Sequence, residues 1–204
     1  SSEYSSTSSM VASLLMSSDF GMSSRVATAL AFGIKTDTLG FTRNFNAVDV
    51  RALLWINAWV DKEKLRAIEM PPRSIEALDS FATALNNKVH LDRIILAPVH
   101  NLVNRDSLAQ IADFLLPTEG VDTVVAFGIR RNKVILSARS NNSNIHVGKL
   151  LSTNFPEGLA GGHKSLGGGQ IPFNVITNQN NDVEEYDHNL IMDETLKLLQ
   201  GIFC

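Results

Sequence analysis

Three stretches of the 204-residue sequence place chemistry-bearing side chains in patterns that could act together. In GIKTDTLGFTR (33–43) a carboxylate, Asp37, stands between Thr36 and Thr38 just after an apolar segment. Threonine hydroxyls can orient a carboxylate by hydrogen bonding, as the groups behind a metal ligand do. Arg43, six residues on, suits a phosphate oxygen or a carboxylate partner. The alternative is an Asp that serves as a turn residue or cap.

The second stretch is KVILSARSNN (133–142). Strand alternation puts Val134, Leu136 and Ala138 on one face and Ile135, Ser137 and Arg139 on the other. A serine and an arginine two apart on one sheet face can both donate to one phosphate or ribose. Ser140, Asn141 and Asn142 extend the donors into the following loop. The alternative is an ordinary solvated strand face.

The third is AGGHKSLGGGQIP (160–172), where His163 and Lys164 sit among five glycines. Glycine lets backbone approach a ligand closely, and successive amides can form an anion-binding nest. His163, flanked by Gly161 and Gly162, has little packing of its own and is placed to touch a ligand. The nucleotide triphosphatase loop needs Gly directly before Lys-Ser; His163 occupies that place, so the pattern fails. A dinucleotide fingerprint fails too, for want of its preceding strand and following helix. A mobile loop with a structural histidine is the alternative.

Several elements must position these groups. Val11, Leu14 and Leu15 are spaced as in a helix, with serines as caps. Residues 23–34 read as a buried helix capped by Ser23 or Ser24, and KTDTLGFTRN as the loop that ends it. Residues 47–60 read as a helix with Val48, Leu53, Trp55, Ile56 and Trp59 facing inward. Pro71-Pro72 forbids helix continuation, so the first lobe is placed at 1–72. A linker helix capped by Ser74 follows at 73–86, and a second lobe spans 87–204. There HLDRIILAPV reads as a strand, SLAQIADFLL as a helix ending at Pro117, and DTVVAFGIRRNKVILSARS as two strands turning at Arg131-Asn132. VGKLLSTNF reads as a short helix, IPFNVITN as a strand and DETLKLLQGIFC as a closing helix. The serine-rich start and NQNNDVEEYDH read as solvated segments. The fold class is α/β: an α-rich first lobe, then a lobe around a mixed sheet.

Composition bounds the function. A net charge of −3 gives no general steering toward polyanions, so any affinity for them must be local. The one cysteine, Cys204, excludes an internal disulfide and a cysteine metal cage. With no apolar run of about 18 residues and no basic leader, a cytoplasmic location and no membrane partner are expected. The start lacks an initiator Met and suggests a chain cut from something longer.

The order of these segments resembles the DHH phosphoesterases, with their DHH-associated C-terminal domain. ALAFGIKTDTLGFTR is similar to the family segment GI-x-TDT-x-x-F, and SSTSSMVASLL to the helix start that follows the DHH motif. VILSARS resembles the strand v-x-v-S-x-R-S, and AGGHKSLGGGQIP the loop GGGH-x-x-x-A-G/G-G, though Ala160 stands at its first glycine. The resemblance runs from about residue 5 to 173. It implies that Asp37 is a ligand of a catalytic manganese pair, and that Ser137, Arg139, Ser140, Gly161, Gly162 and His163 bind substrate. Arg43 joins them from its own spacing. The family's Asp-x-Asp, single Asp and Asp-His-His motifs are absent, so the other metal ligands are expected upstream of Ser1. One Asp cannot hold two divalent ions.

The resemblance implies a manganese-dependent phosphoesterase acting on small nucleotides or short single-stranded oligonucleotides, this chain being by itself inactive. Short oligoribonucleotides, adenosine bisphosphate and cyclic dinucleotides rank first. Long single-stranded DNA, as in RecJ-like action, ranks lower for want of a basic groove with interleaved aromatics. Polyphosphate and pyrophosphate also rank lower. A non-catalytic nucleotide-binding module is the second reading. A third is a homodimerisation lobe, with Trp55 and Trp59 covering the partner.

Overall fold

The computed structural model describes residues 4–18, 20–42, 45–100, 102–177 and 186–203. The chain divides between Pro72 and Arg73 into two compact units.

The first unit is helical: α1 (Thr7–Met16), α2 (Ser24–Asp37), α3 (Ala47–Ile56) and α4 (Lys62–Glu69). Each start is fixed by a side-chain cap, from Ser6, Ser23, Asn46 and Asp61. The core consists mainly of small residues, Ala12, Ala27, Ala31 and Ala52, with Ile34 and Ile56. Small side chains let the helices approach closely. A Cβ on Gly33 would lie 2.1 Å from Ser8 Oγ.

Three expectations change here. The serine-rich start is helical rather than solvated, and Ser9 is fully buried. The third helix stops at Ile56, its buried face being Asp49, Ala52 and Ile56, while Trp59 is 41% exposed and packs against Trp55 with ring centroids 5.2 Å apart and planes tilted by 57°. Asp49 is tolerated inside because it closes a capping box with Asn46 and accepts the Ser5 N–H. Burial pushes its carboxyl up. The Ser9 side chain beside it and the backbone N–H groups of Asn46 and Ser5 outweigh that and hold it below the usual range. The polar helix α4 was not anticipated; it is rich in charged residues and none of its residues is buried.

The second unit contains α5 (Ile75–Asn87), β1 (Val89–Leu91), β2 (Ile94–Val99), α6 (Asp106–Leu115), β3 (Thr123–Arg130) and β4 (Lys133–Ser140). It continues with α7 (Val147–Asn154), β5 (Ala160–Gly162), β6 (Leu166–Pro172), α8 (Phe173–Thr177) and α9 (His188–Phe203). The six strands form one mixed sheet in the order β1-β2-β3-β4-β6-β5, parallel only between β2 and β3. Strand β3 shows why its sequence is apolar throughout. Val124 and Ala126 face one core with Ile95, Ala97 and residues of α5 and α6, whereas Val125, Phe127 and Ile129 face another with α7 and α9.

The α/β architecture is as expected, and four local assignments differ. The α5 segment is no linker: Phe81 and Ala84 are core residues of the second unit. HLDRIILAPV is a hairpin, β1 and β2, reversed at Asp92 with φ +50°. Most of IPFNVITN is helix α8, because β6 ends at Pro172, which has no N–H to continue a ladder. Finally, the glycine-rich stretch is an antiparallel hairpin, β5 and β6, rather than a loop. Most of NQNNDVEEYDH, like Arg43, lies outside the described residues. No helix among the described residues is long and apolar enough to cross a membrane.

Candidate functional site

The sheet register brings two of the three sequence segments together. Ser137 on β4 is paired with Gly168 on β6, which is paired with Gly161 on β5. Residues paired across an antiparallel ladder share a face. The row therefore runs from Ser137 out to the sheet edge with no side chain beyond the serine. It lies in an open concavity of about 800 Å3, bounded by Arg105, Asp106 and Ala109 at the start of α6 and by Lys133, Ile135 and Gln170.

Adjacent glycines serve different ends. A Cβ on Gly168 would touch only the Leu136 carbonyl oxygen, at 3.1 Å, and would otherwise stand in open space. A Cβ on Gly167, on the opposite face, would lie 2.8 Å from Leu151 Cδ1 and 2.9 Å from Val147 Cγ1 of α7. Gly167 thus permits packing, and Gly168 keeps the floor of the concavity bare.

Arg139 does not line the concavity but is fixed beside the serine that does. Its Nε–H donates to Asp113 Oδ1 at 2.7 Å; its Nη1 donates to Ser137 Oγ at 3.2 Å and to the Ala138 carbonyl at 3.0 Å. Nη2 has no partner among the described residues. The Ser137 hydroxyl accepts from Arg139, and its own proton has no acceptor among the described residues.

Ser140 serves a different purpose. It is buried, with its hydroxyl 2.9 Å from Thr123 Oγ1 and accepting from Asn142 N at 3.1 Å. Thr123 in turn donates to Asp122, whose carboxylate also accepts from Arg93 Nε at 2.8 Å and Asn142 Nδ2 at 3.1 Å. Burial pushes the Asp122 carboxyl up, but Arg93, Thr123 and Asn142 together hold it below the usual carboxylate range. This polar hub ties the β1–β2 turn to the start of β3 and the end of β4. The expected substrate role of Ser140 is not supported by its surroundings.

His163 is exposed in the β5–β6 turn and does not line the concavity. Its backbone is committed to α7: the His163 and Lys164 carbonyls accept the Gly148 and Val147 N–H groups, both at 2.9 Å. These carbonyls, with His146 Nδ1 accepting from Lys149 N, satisfy the first turn of the helix. The turn's carbonyls thus cap a helix, and the His163 N–H donates to the Leu166 carbonyl at 2.8 Å. Gly148 is required there, since a Cβ would fall 2.1 Å from the Gly162 carbonyl oxygen.

Asp37 belongs to the first unit. It is the last residue of α2, not a loop residue, and is exposed with no partner among the described residues. The flanking threonines do not orient it: Thr36 Oγ1 donates to the Phe32 carbonyl and Thr38 Oγ1 to the Ile34 carbonyl. Among the described residues no group of three His, Cys, Asp or Glu could hold a metal ion. They do not fit a manganese pair.

Sequence reasoning missed Arg105, Lys133, Gly168 and Gln170 as lining residues. Stepping back from Ser137 by twos reaches Lys133, so alternation would have found it; nothing in the sequence signals Arg105.

Residues 86–187 match the DHHA1 domain. Among curated proteins, the uncharacterized protein MJ1633 of Methanocaldococcus jannaschii is 34% identical over 175 residues, 85% of this chain and 36% of that protein. The chain thus spans about a third of that relative's length. Among solved structures, an exopolyphosphatase-related protein from Bacteroides fragilis superposes with a TM-score of 0.70 at 19% identity, over 98% of this chain and 57% of that one. The C-Ala domain of Aquifex aeolicus alanyl-tRNA synthetase aligns over 57% of this chain and 96% of its own, at 16% identity and a TM-score of 0.40.

Proposed function

The chain belongs to the DHHA1 domain family, and on that premise we propose that its second unit holds a small nucleotide or short single-stranded oligonucleotide for phosphoester hydrolysis. The observation that carries this is the row Ser137, Gly168, Gly161 opening into a concavity of about 800 Å3, with Arg139 fixed beside the serine. That volume lies in the ordinary range for small-ligand sites, roughly 300–1,000 Å3. A bare glycine floor admits a flat base or sugar against the backbone. Ser137 donates to a phosphate oxygen, and the Arg139 guanidinium supplies the opposing charge.

Holding the phosphate still is the share of catalysis this unit contributes, because orientation alone can supply several kcal/mol of barrier lowering, about 7–11 at best. The resemblance implies a manganese pair that would activate the attacking water. Asp37 is the one candidate ligand here, and no step is assigned to a metal the described residues do not hold.

The test is calorimetric titration of the 204-residue chain with adenosine 5′-monophosphate. Saturable binding, weakened at least about tenfold in Ser137→Ala/Arg139→Ala, is expected. Equal binding by wild type and variant, each with a normal unfolding transition, overturns the proposal.

A further inference from the structure

A second concavity, of about 490 Å3, adjoins the first and shares Arg105, Lys133, Ile135 and Gln170 with it. Its remaining lining is Arg130, Arg131 and Asn132, from the end of β3 and the β3–β4 turn. Four cationic side chains thus meet at one end of the glycine-floored site, in a chain whose net charge is −3. Counter-charge is sparse. Arg105 has Asp106 at 3.7 Å, both well exposed, while Arg130, Arg131 and Lys133 have no ion-pair partner among the described residues.

The backbone carries an independent sign of use. Arg131 has φ +47° in a two-residue hairpin turn. Glycine or asparagine takes that conformation more cheaply, and a long cationic side chain is retained there against about 1 kcal/mol of strain. Arg130 and Lys133 are paired directly across the strands, which is unfavourable for like charges unless an anion lies between them.

We propose that this basic rim binds a second phosphate of the ligand whose first phosphate is held at Ser137 and Arg139. The inference rests on the nucleotide-holding role above and narrows it: the preferred substrate carries at least two phosphates, with one extending past Lys133 toward the β3–β4 turn. Mononucleotides bind only the inner site.

The experiment compares affinities of the 204-residue chain for adenosine 5′-monophosphate and the dinucleotide pApA, and for pyrophosphate and tripolyphosphate. The variant is Arg130→Gln/Arg131→Asn, in which asparagine suits the left-handed turn, so the fold is retained. Wild type is expected to bind pApA at least about tenfold tighter than the mononucleotide. The variant is expected to lose that preference, with a shallower salt dependence and unchanged mononucleotide affinity. A rim-dependent gain seen only from pyrophosphate to tripolyphosphate supports the second-phosphate site but assigns it to an inorganic chain. Mononucleotide binding with no rim-dependent gain for any longer ligand overturns the inference and leaves the inner site standing. Failure of wild type to bind any of the four overturns both.

Discussion

Arg139 donates its Nε–H to the Asp113 carboxylate at 2.7 Å, tying the last turns of α6 to β4 beside the Ser137 hydroxyl. Asp113 is 60% exposed, so the pair adds little to stability. Its effect is to hold the guanidinium so that Nη1 meets Ser137. Asp113→Ala is expected to change unfolding free energy by less than about 1 kcal/mol while weakening mononucleotide binding. Arg139→Lys is expected to weaken binding as well, because an ammonium cannot serve Asp113 and Ser137 from two fixed edges. Denaturant unfolding and calorimetry on the two variants check this.

Gly168→Ala separates the floor of the site from the fold. The new methyl meets only the Leu136 carbonyl oxygen, at 3.1 Å, a tight contact relieved by a few tenths of an ångström of adjustment. Stability is expected to stay within about 1 kcal/mol of wild type, since alanine recovers backbone entropy that glycine loses. Affinity is expected to fall, because the methyl stands in the concavity. Unchanged affinity would mean the ligand does not lie on the glycine row.

Gly148→Ala acts from the opposite face. Its Cβ would collide with the Gly162 carbonyl, so the first turn of α7 must lift from the β5–β6 turn. A loss of about 1–3 kcal/mol is expected from such overpacking. Amide exchange in the β5–β6 hairpin should rise with it. Exchange confined to wild-type levels would show that the hairpin does not depend on this dock.

Acid sensitivity has a defined sign. The Asp122 carboxyl is held below its ordinary value of 3.8 in the folded chain by Arg93, Thr123 and Asn142. The stabilisation is therefore complete above about pH 4 and is lost as pH falls through the lowered folded value. Asp122→Ala is expected to cost about 1–3 kcal/mol at pH 7 from the unmet donors, and less at an acid pH low enough to protonate the folded carboxyl. Urea unfolding at the two pH values checks it; an equal cost at both would contradict the hub's electrostatic origin.

Much of the fold was legible where side chains alternate. The β3–β4 hairpin, its Arg131-Asn132 turn and the apolar face of Val134, Leu136 and Ala138 could be read because each strand residue carries a distinguishable side chain. The β5–β6 hairpin could not, since glycine gives no apolar period, and its register depends on β4 and α7. Thr36 and Thr38 suggested a loop by composition, yet their hydroxyls fold back on the helix carbonyls and let α2 run to Asp37. Ser137, Gly161 and Gly162, named by motif, line the concavity, whereas the Ser140 hydroxyl and the His163 backbone are already bonded within the fold. Which hydroxyl or carbonyl is already bonded is a tertiary fact that the local sequence does not contain.

Mapping amide chemical shifts of the 204-residue chain during titration with adenosine 5′-monophosphate tests the central claim most directly. Saturable shifts centred on Ser137, Gly161 and Gly168, with the first unit unperturbed, are the expected result. Shifts spread without a centre, or centred away from the glycine row, would contradict the assignment of this concavity as the nucleotide-holding site.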